Sequence, residues 1–118
     1  MANPTKGWMA GTIALAALLA AGEAYAQDKA KVEHGMKVYA AQKCSVCHSI
    51  AGKGAKKGPL DEVGSKLSEA DIREWIVNAP AMTKKTNATR KPVMKDYSKL
   101  PKDDVDGLVA YLMTLKKA

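Results

Sequence analysis

Cys44-Ser45-Val46-Cys47-His48 is the stretch from which the rest of this chain is read. Two thiols three residues apart, with an imidazole directly after the second, form the C-x-x-C-H pattern of a haem attachment site. On a helical turn, positions three and four apart share one face, so Cys44, Cys47 and His48 can all point at one flat ligand. The thiols can add across the vinyl groups of a haem to give two thioethers, and the His48 imidazole can take one axial position on its iron. Other readings of the cysteines are weaker. A structural zinc needs four ligands, and beyond this cluster the chain offers only His34. A thiol-disulfide oxidoreductase would carry the pair beside a βαβ unit, yet no run of alternating apolar residues resembles a strand. A Cys44 to Cys47 disulfide is the plainest alternative.

Residues 1–26 read as an export signal, with Lys6 in a short start, an apolar run from Trp8 to Ala21, and Ala24-Tyr25-Ala26 as an A-x-A cleavage site. The apolar run is about 14 residues with Glu23 close behind, whereas a spanning helix needs about 20. No stable membrane insertion is therefore expected after cleavage. The mature chain, residues 27–118, has the length of one small domain with a thin core. A covalently held haem offers such a chain a broad apolar face to pack against.

The formal net charge is +7. Cleavage removes one base, Lys6, and one acid, Glu23, so the mature charge is unchanged, and two haem propionates would lower it to about +5. The lysines are spread along the chain, and no nucleic-acid-binding motif accompanies them.

Apolar spacing predicts three helices. Val32, Gly35, Met36 and Tyr39 fall at i, i+3, i+4 and i+7 just before the cysteines. The glycine inside that stripe suits a place where another backbone comes close. A second helix starts near Ser68, where Ser68-Glu69-Ala70-Asp71 looks like a capping box, and carries Ile72, Trp75, Ile76 and Ala79 until Pro80 ends it. Trp75 suits a core or haem-wall position. The third holds Val105, Leu108, Val109, Leu112 and Leu115, with Pro101 near its start and lysines at its end. It is expected to cross the first helix, with Gly35 and Tyr39 meeting the Leu108 to Leu112 region. Between helices, Gly52 to Gly58 reads as a basic solvated loop. Pro80 to Tyr97 reads as a loop of about 18 residues, long enough to imply that it wraps something.

That loop also bears on the second axial position. Met36 and Met113 lie on helices, and His34 sits too near the attachment motif to reach the far side of the haem. Met94 and Met82 remain, with Met94 favoured because Tyr97 and the third helix follow it.

Taken in order, Gly35-x-x-x-Tyr39, Cys44-x-x-Cys47-His48, Gly58-Pro59-Leu60, Trp75-Ile76-x-Asn78, Met94-x-x-Tyr97 and Leu108-x-x-Tyr111-Leu112 resemble the class I cytochromes c over residues 30 to 116. The resemblance implies an all-α fold, the small cytochrome c fold, with three main helices around one covalently attached haem c. It implies that His48 is the proximal ligand, that Met94 is the distal one, and that the Pro59 carbonyl accepts a hydrogen bond from the other nitrogen of His48. With both axial positions filled, it implies an electron carrier and not an enzyme. Such proteins are exported, which agrees with the leader and a periplasmic address. The expected partners are redox proteins with acidic docking surfaces met by a monomer, and nucleic acid is not among them. The alternatives are a haem c subunit bound to a larger dehydrogenase or oxidase, and a ligand-binding sensory haem protein. The chain departs from the common pattern at Lys95, where many relatives carry proline, and in Thr83 to Arg90.

Overall fold

The computed structural model describes residues 28–118 together with Gly22, so the rest of the expected export signal, and its expected cleavage site, lie outside the described residues. Two units divide the chain, Met1–Ala30 and Lys31–Ala118, and the second holds the elements discussed here from residue 31 of the first helix onward. Helix α1 covers 28–41 among the described residues and is followed by a 3-10 turn at Cys44–Val46. Next come a minimal hairpin of β1 (Ser49–Ile50) and β2 (Lys53–Gly54), then α2 (Val63–Lys66), α3 (Glu69–Val77), α4 (Ala79–Thr86) and α5 (Lys102–Met113).

The three expected helices are α1, α3 and α5. Ser68 caps α3 as the capping-box pattern requires, its Oγ accepting from the Asp71 N–H at 3.1 Å. Two elements differ from expectation. Pro80 does not open a loop. The chain pauses at Asn78 for one residue and Pro80 then stands in the first turn of α4, where its missing N–H has no helical partner to lose. The long loop therefore shortens to the stretch after Thr86. The basic Gly52 to Gly58 segment, expected as a plain loop, contributes β2. Ala51 and Gly52 both take positive φ, 51° and 77°, the backbone of a tight two-residue hairpin turn.

Helices α1 and α5 cross at two glycines. A Cβ on Gly35 would overlap the carbonyl group of Gly107 and lie 2.8 Å from the Tyr111 Cβ. The close approach expected of Gly35 is thus real, and it falls on Gly107, one residue before the stretch anticipated. One turn on, the Tyr39 and Tyr111 rings meet edge to face with centroids 5.8 Å apart. Val38 of α1, Ile72 and Ile76 of α3, and Val105, Leu108, Val109 and Leu112 of α5 form the core around this crossing. Burying each such aliphatic side chain contributes about 1.5–3 kcal/mol. Met36, placed in the apolar stripe by its spacing, is instead 51% exposed, and Val38 takes the inward position. The lysines expected at the end of α5 follow its last residue, Met113, and Lys116 Nζ donates from there to the Gly64 carbonyl at 2.7 Å, tying this segment to α2.

Asp106 joins α3 to α5. Its carboxylate accepts from Lys102 at 2.6 Å and meets Arg73 at 2.9 Å. The Lys102 hydrogen bond first, and that from Arg73 second, hold its carboxyl below the ordinary carboxylate value. A carboxyl whose pKa is depressed on folding stabilises the fold above its unfolded pKa and stops doing so as acid protonates it. Asp106→Asn is expected to lower the melting temperature at pH 7, and the gap to the parent protein should close below about pH 4. A gap that persists undiminished in acid would show that the carboxylate charge is not what matters.

Candidate functional site

The attachment turn is built by α1 ending early. Gln42 and Lys43 close the helix, Lys43 turns the backbone to a φ of 56°, and the 3-10 turn begins at Cys44. The Cys44 carbonyl then accepts from the Cys47 N–H at 3.1 Å and from the His48 N–H at 2.9 Å. One carbonyl thereby gathers the motif, and Cys44, Cys47 and His48 all line one cavity of about 590 Å³. That volume lies within the roughly 300–1,000 Å³ usual for cofactor and small-molecule sites. Trp75 of α3 and Met94 of the long loop stand on its wall, as do Val46, Pro92 and Val93. A smaller chamber of about 40 Å³, lined in part by Cys44, His48 and Met94, reaches inward to Tyr39, Leu108 and Leu112.

The second-nitrogen contact of His48 differs from expectation. His48 Nδ1 lies 3.1 Å from the carbonyl of Gly58, not that of Pro59. The cause is the parallel bridge between Ser49 and Pro59. It turns the Gly58 carbonyl toward Ser49, whose N–H it accepts at 3.0 Å, and turns the Leu60 N–H to the Ser49 carbonyl at 2.8 Å. The carbonyl of Pro59, between these two groups, faces away. Because a carbonyl can only accept, Nδ1 carries the proton and Nε2 keeps its lone pair for a metal. Burial, more than any other cause, lowers the His48 pKa, and the Arg90 charge acts in the same direction against the Gly58 bond. The imidazole is therefore held in its neutral, ligating form. Burial also pushes the Cys44 thiol up to about 11.

Of the methionines among the described residues, Met94 alone lines the cavity. Three residues on, the Tyr97 N–H donates to the Ile76 carbonyl at 3.0 Å and pins the loop to α3. Met82 is 7% exposed on α4 and lines neither cavity. Met113 packs against the core, and His34 faces away, its Nε2–H donating to Asp104 at 2.7 Å.

Spacing along the sequence does not reveal Arg90. Its Nη2 donates to the Cys47 carbonyl from 43 residues away, and its guanidinium also stands on the cavity wall. One basic residue among several in a polar stretch carries no period that would single it out.

The residues present fit a c-type haem. Two free thiols and a neutral imidazole share one turn at the edge of a largely apolar cavity, with a thioether on its wall. The buried Tyr39 hydroxyl has no hydrogen-bond partner in the protein and borders the inner chamber, as a wall completed by a bound group would. Among the described residues, no cluster of three or more His, Cys, Asp or Glu side chains offers a rival metal site, and no helix is long and apolar enough to cross a membrane. The family model described as Cytochrome c matches residues 32–116. Searches of curated proteins and of solved structures gave no match.

Proposed function

Because the chain belongs to the cytochrome c family, we propose that it is a periplasmic carrier that moves single electrons through one covalently held haem c ligated by His48 and Met94. The observation that supports this most is the cavity that gathers both thiols, the His48 imidazole and a single methionine. When bound, the haem supplies a one-electron iron couple whose potential histidine–methionine ligation raises. Cys44 and Cys47 anchor the group, and the Gly58 carbonyl keeps the His48 ring in one tautomer and one orientation. Trp75, half-buried on α3, would pack an apolar ring against the bound group, while Pro92 and Val93 line the cavity nearer its open side. With two protein side chains on the metal, no position is left for a substrate, so the chain carries electrons without transforming a substrate. Mass analysis of the exported product and optical spectra of both oxidation states test this. The expected results are one haem per chain and the weak near-infrared band of a sulfur to ferric iron bond. A mass equal to the amino acids alone would overturn it.

The cavity mouth suggests the partner. Val46 and Val93 stand there 71% and 50% exposed, with Lys43, Arg90 and Lys95 on the same wall. A small apolar centre edged by cations suits an acidic redox protein, whose field would steer the encounter. Bimolecular electron transfer with such a partner should slow as ionic strength rises toward physiological values, where the screening length is about 8 Å. A salt-independent rate would contradict acidic docking.

A further inference from the structure

The last residue of the stretch Thr83 to Arg90 makes a long-range tie at the site. Arg90 Nη2 donates to the Cys47 carbonyl, inside the attachment motif itself. A Cβ on Gly58 would collide with both the Arg90 guanidinium and the Cys47 carbonyl, so only glycine leaves the cradle in which the guanidinium lies. Gly58 also supplies the carbonyl that holds His48. Arg90 comes from the loop that carries Met94 four residues later, and Met94 lines the same cavity. The segment bearing the candidate distal ligand is thus fastened on one side to the segment bearing the proximal one. On its other side, the Tyr97 N–H fastens it to Ile76 of α3.

We propose that Arg90 is a latch. It is a positioning residue that holds the Met94 loop closed against the attachment turn and so keeps foreign ligands from the sixth position of the iron. The inference rests on the haem reading with Met94 as axial ligand and adds what keeps that ligand in place. The mechanism is a population shift: each opening of the loop frees the iron, and the guanidinium contact lowers the fraction of time spent open. An arginine suits this better than a lysine, because its rigid planar guanidinium holds the donor in a fixed direction toward the Cys47 carbonyl while staying charged at the surface.

The test uses the haem-loaded chain, with imidazole as the probe ligand for the ferric iron and absorbance as the readout. Arg90→Gln should bind imidazole about tenfold more tightly than the parent, the shift expected when one exposed charge-assisted contact is lost from the closed state. Arg90→Lys keeps the charge but not the fork and should recover less than half of that closure on a logarithmic scale. Both variants should retain covalent haem and the His48 ligand, and both should melt within a few degrees of the parent, because the contact lies at the surface. Unchanged imidazole affinity in Arg90→Gln would overturn the latch, as would full recovery in Arg90→Lys, which would point to charge alone. A parent protein that already binds imidazole without resistance would instead refute the Met94 ligation beneath it, so the two failures are distinguishable.

Discussion

Gly35→Ala is expected to destabilise the haem-loaded protein by roughly 2 kcal/mol net, whereas Gly107→Ala at the same crossing should change stability little. The new Cβ at position 35 would fall on the carbonyl carbon and oxygen of Gly107, and backbone atoms inside α5 cannot swing aside as a flexible side chain can. Relief requires the two helices to separate, which loosens Val38 from Leu108 and Val109 and disturbs the Tyr39 and Tyr111 ring pair. Overpacking of this kind costs about 1–3 kcal/mol or more, and alanine returns only about 1 kcal/mol of helix propensity over glycine. At position 107 the nearest atoms to an added Cβ, Gly35 N and His34 Cδ2, are 3.0 Å away, so a shift of a few tenths of an ångström suffices. There the propensity gain offsets the contact. In a domain of this size the Gly35 variant should melt roughly 8–16 °C lower. Equal losses at the two glycines, or none at Gly35, would show that the crossing is looser than the backbone distances imply. Larger residues at position 35 should be worse in order of volume.

The attachment motif, the three long helices and the role of Gly35 were legible because each leaves a local or periodic trace. Ile72, Ile76, Leu108 and Leu112 repeat at helical spacing, and Ser68 stands three residues before Asp71. Helix α4 was hidden because proline is a two-way signal, ending one helix or occupying the first turn of another. Only the pause at Asn78 and the burial of Ala79 and Met82 tell which. The partner of His48 missed by one residue for a different reason. Successive carbonyls of an extended segment point in opposite directions, so choosing Gly58 over Pro59 needs the register against Ser49. Arg90 required the folded chain, since its contact with Cys47 joins two loops with no shared pattern. What stayed hidden is therefore the long-range part of the site, the contacts that set its orientation and closure.

Met94→Ala and Met82→Ala should fail in opposite ways, and the contrast assigns the distal ligand. Both methionines fall in the Pro80 to Tyr97 stretch of the sequence, but the structure puts Met82 on α4 and Met94 in the loop after it. Met82 is buried on α4 and lines neither cavity, so its loss leaves a void in packing, at about 2–5 kcal/mol for a buried methionine cut back to alanine. Met82→Ala should therefore melt at a markedly lower temperature and keep the sulfur to iron band. Met94 stands on the wall of the large cavity and of the inner chamber, where its thioether can reach a bound metal. Met94→Ala should lose the near-infrared band, fall in reduction potential as the sulfur ligand is lost, and admit carbon monoxide to the reduced iron. The gain in carbon monoxide affinity follows from the occupancy that methionine imposes. If the open form of the parent is populated at about 1%, removing the competitor raises the apparent affinity about a hundredfold. Should Met94→Ala keep both band and potential while Met82→Ala loses them, the axial assignment passes to α4. That outcome would require α4 to unwind around a side chain now closed off from the cavity, and unwinding would show as lost helical circular dichroism when haem is attached.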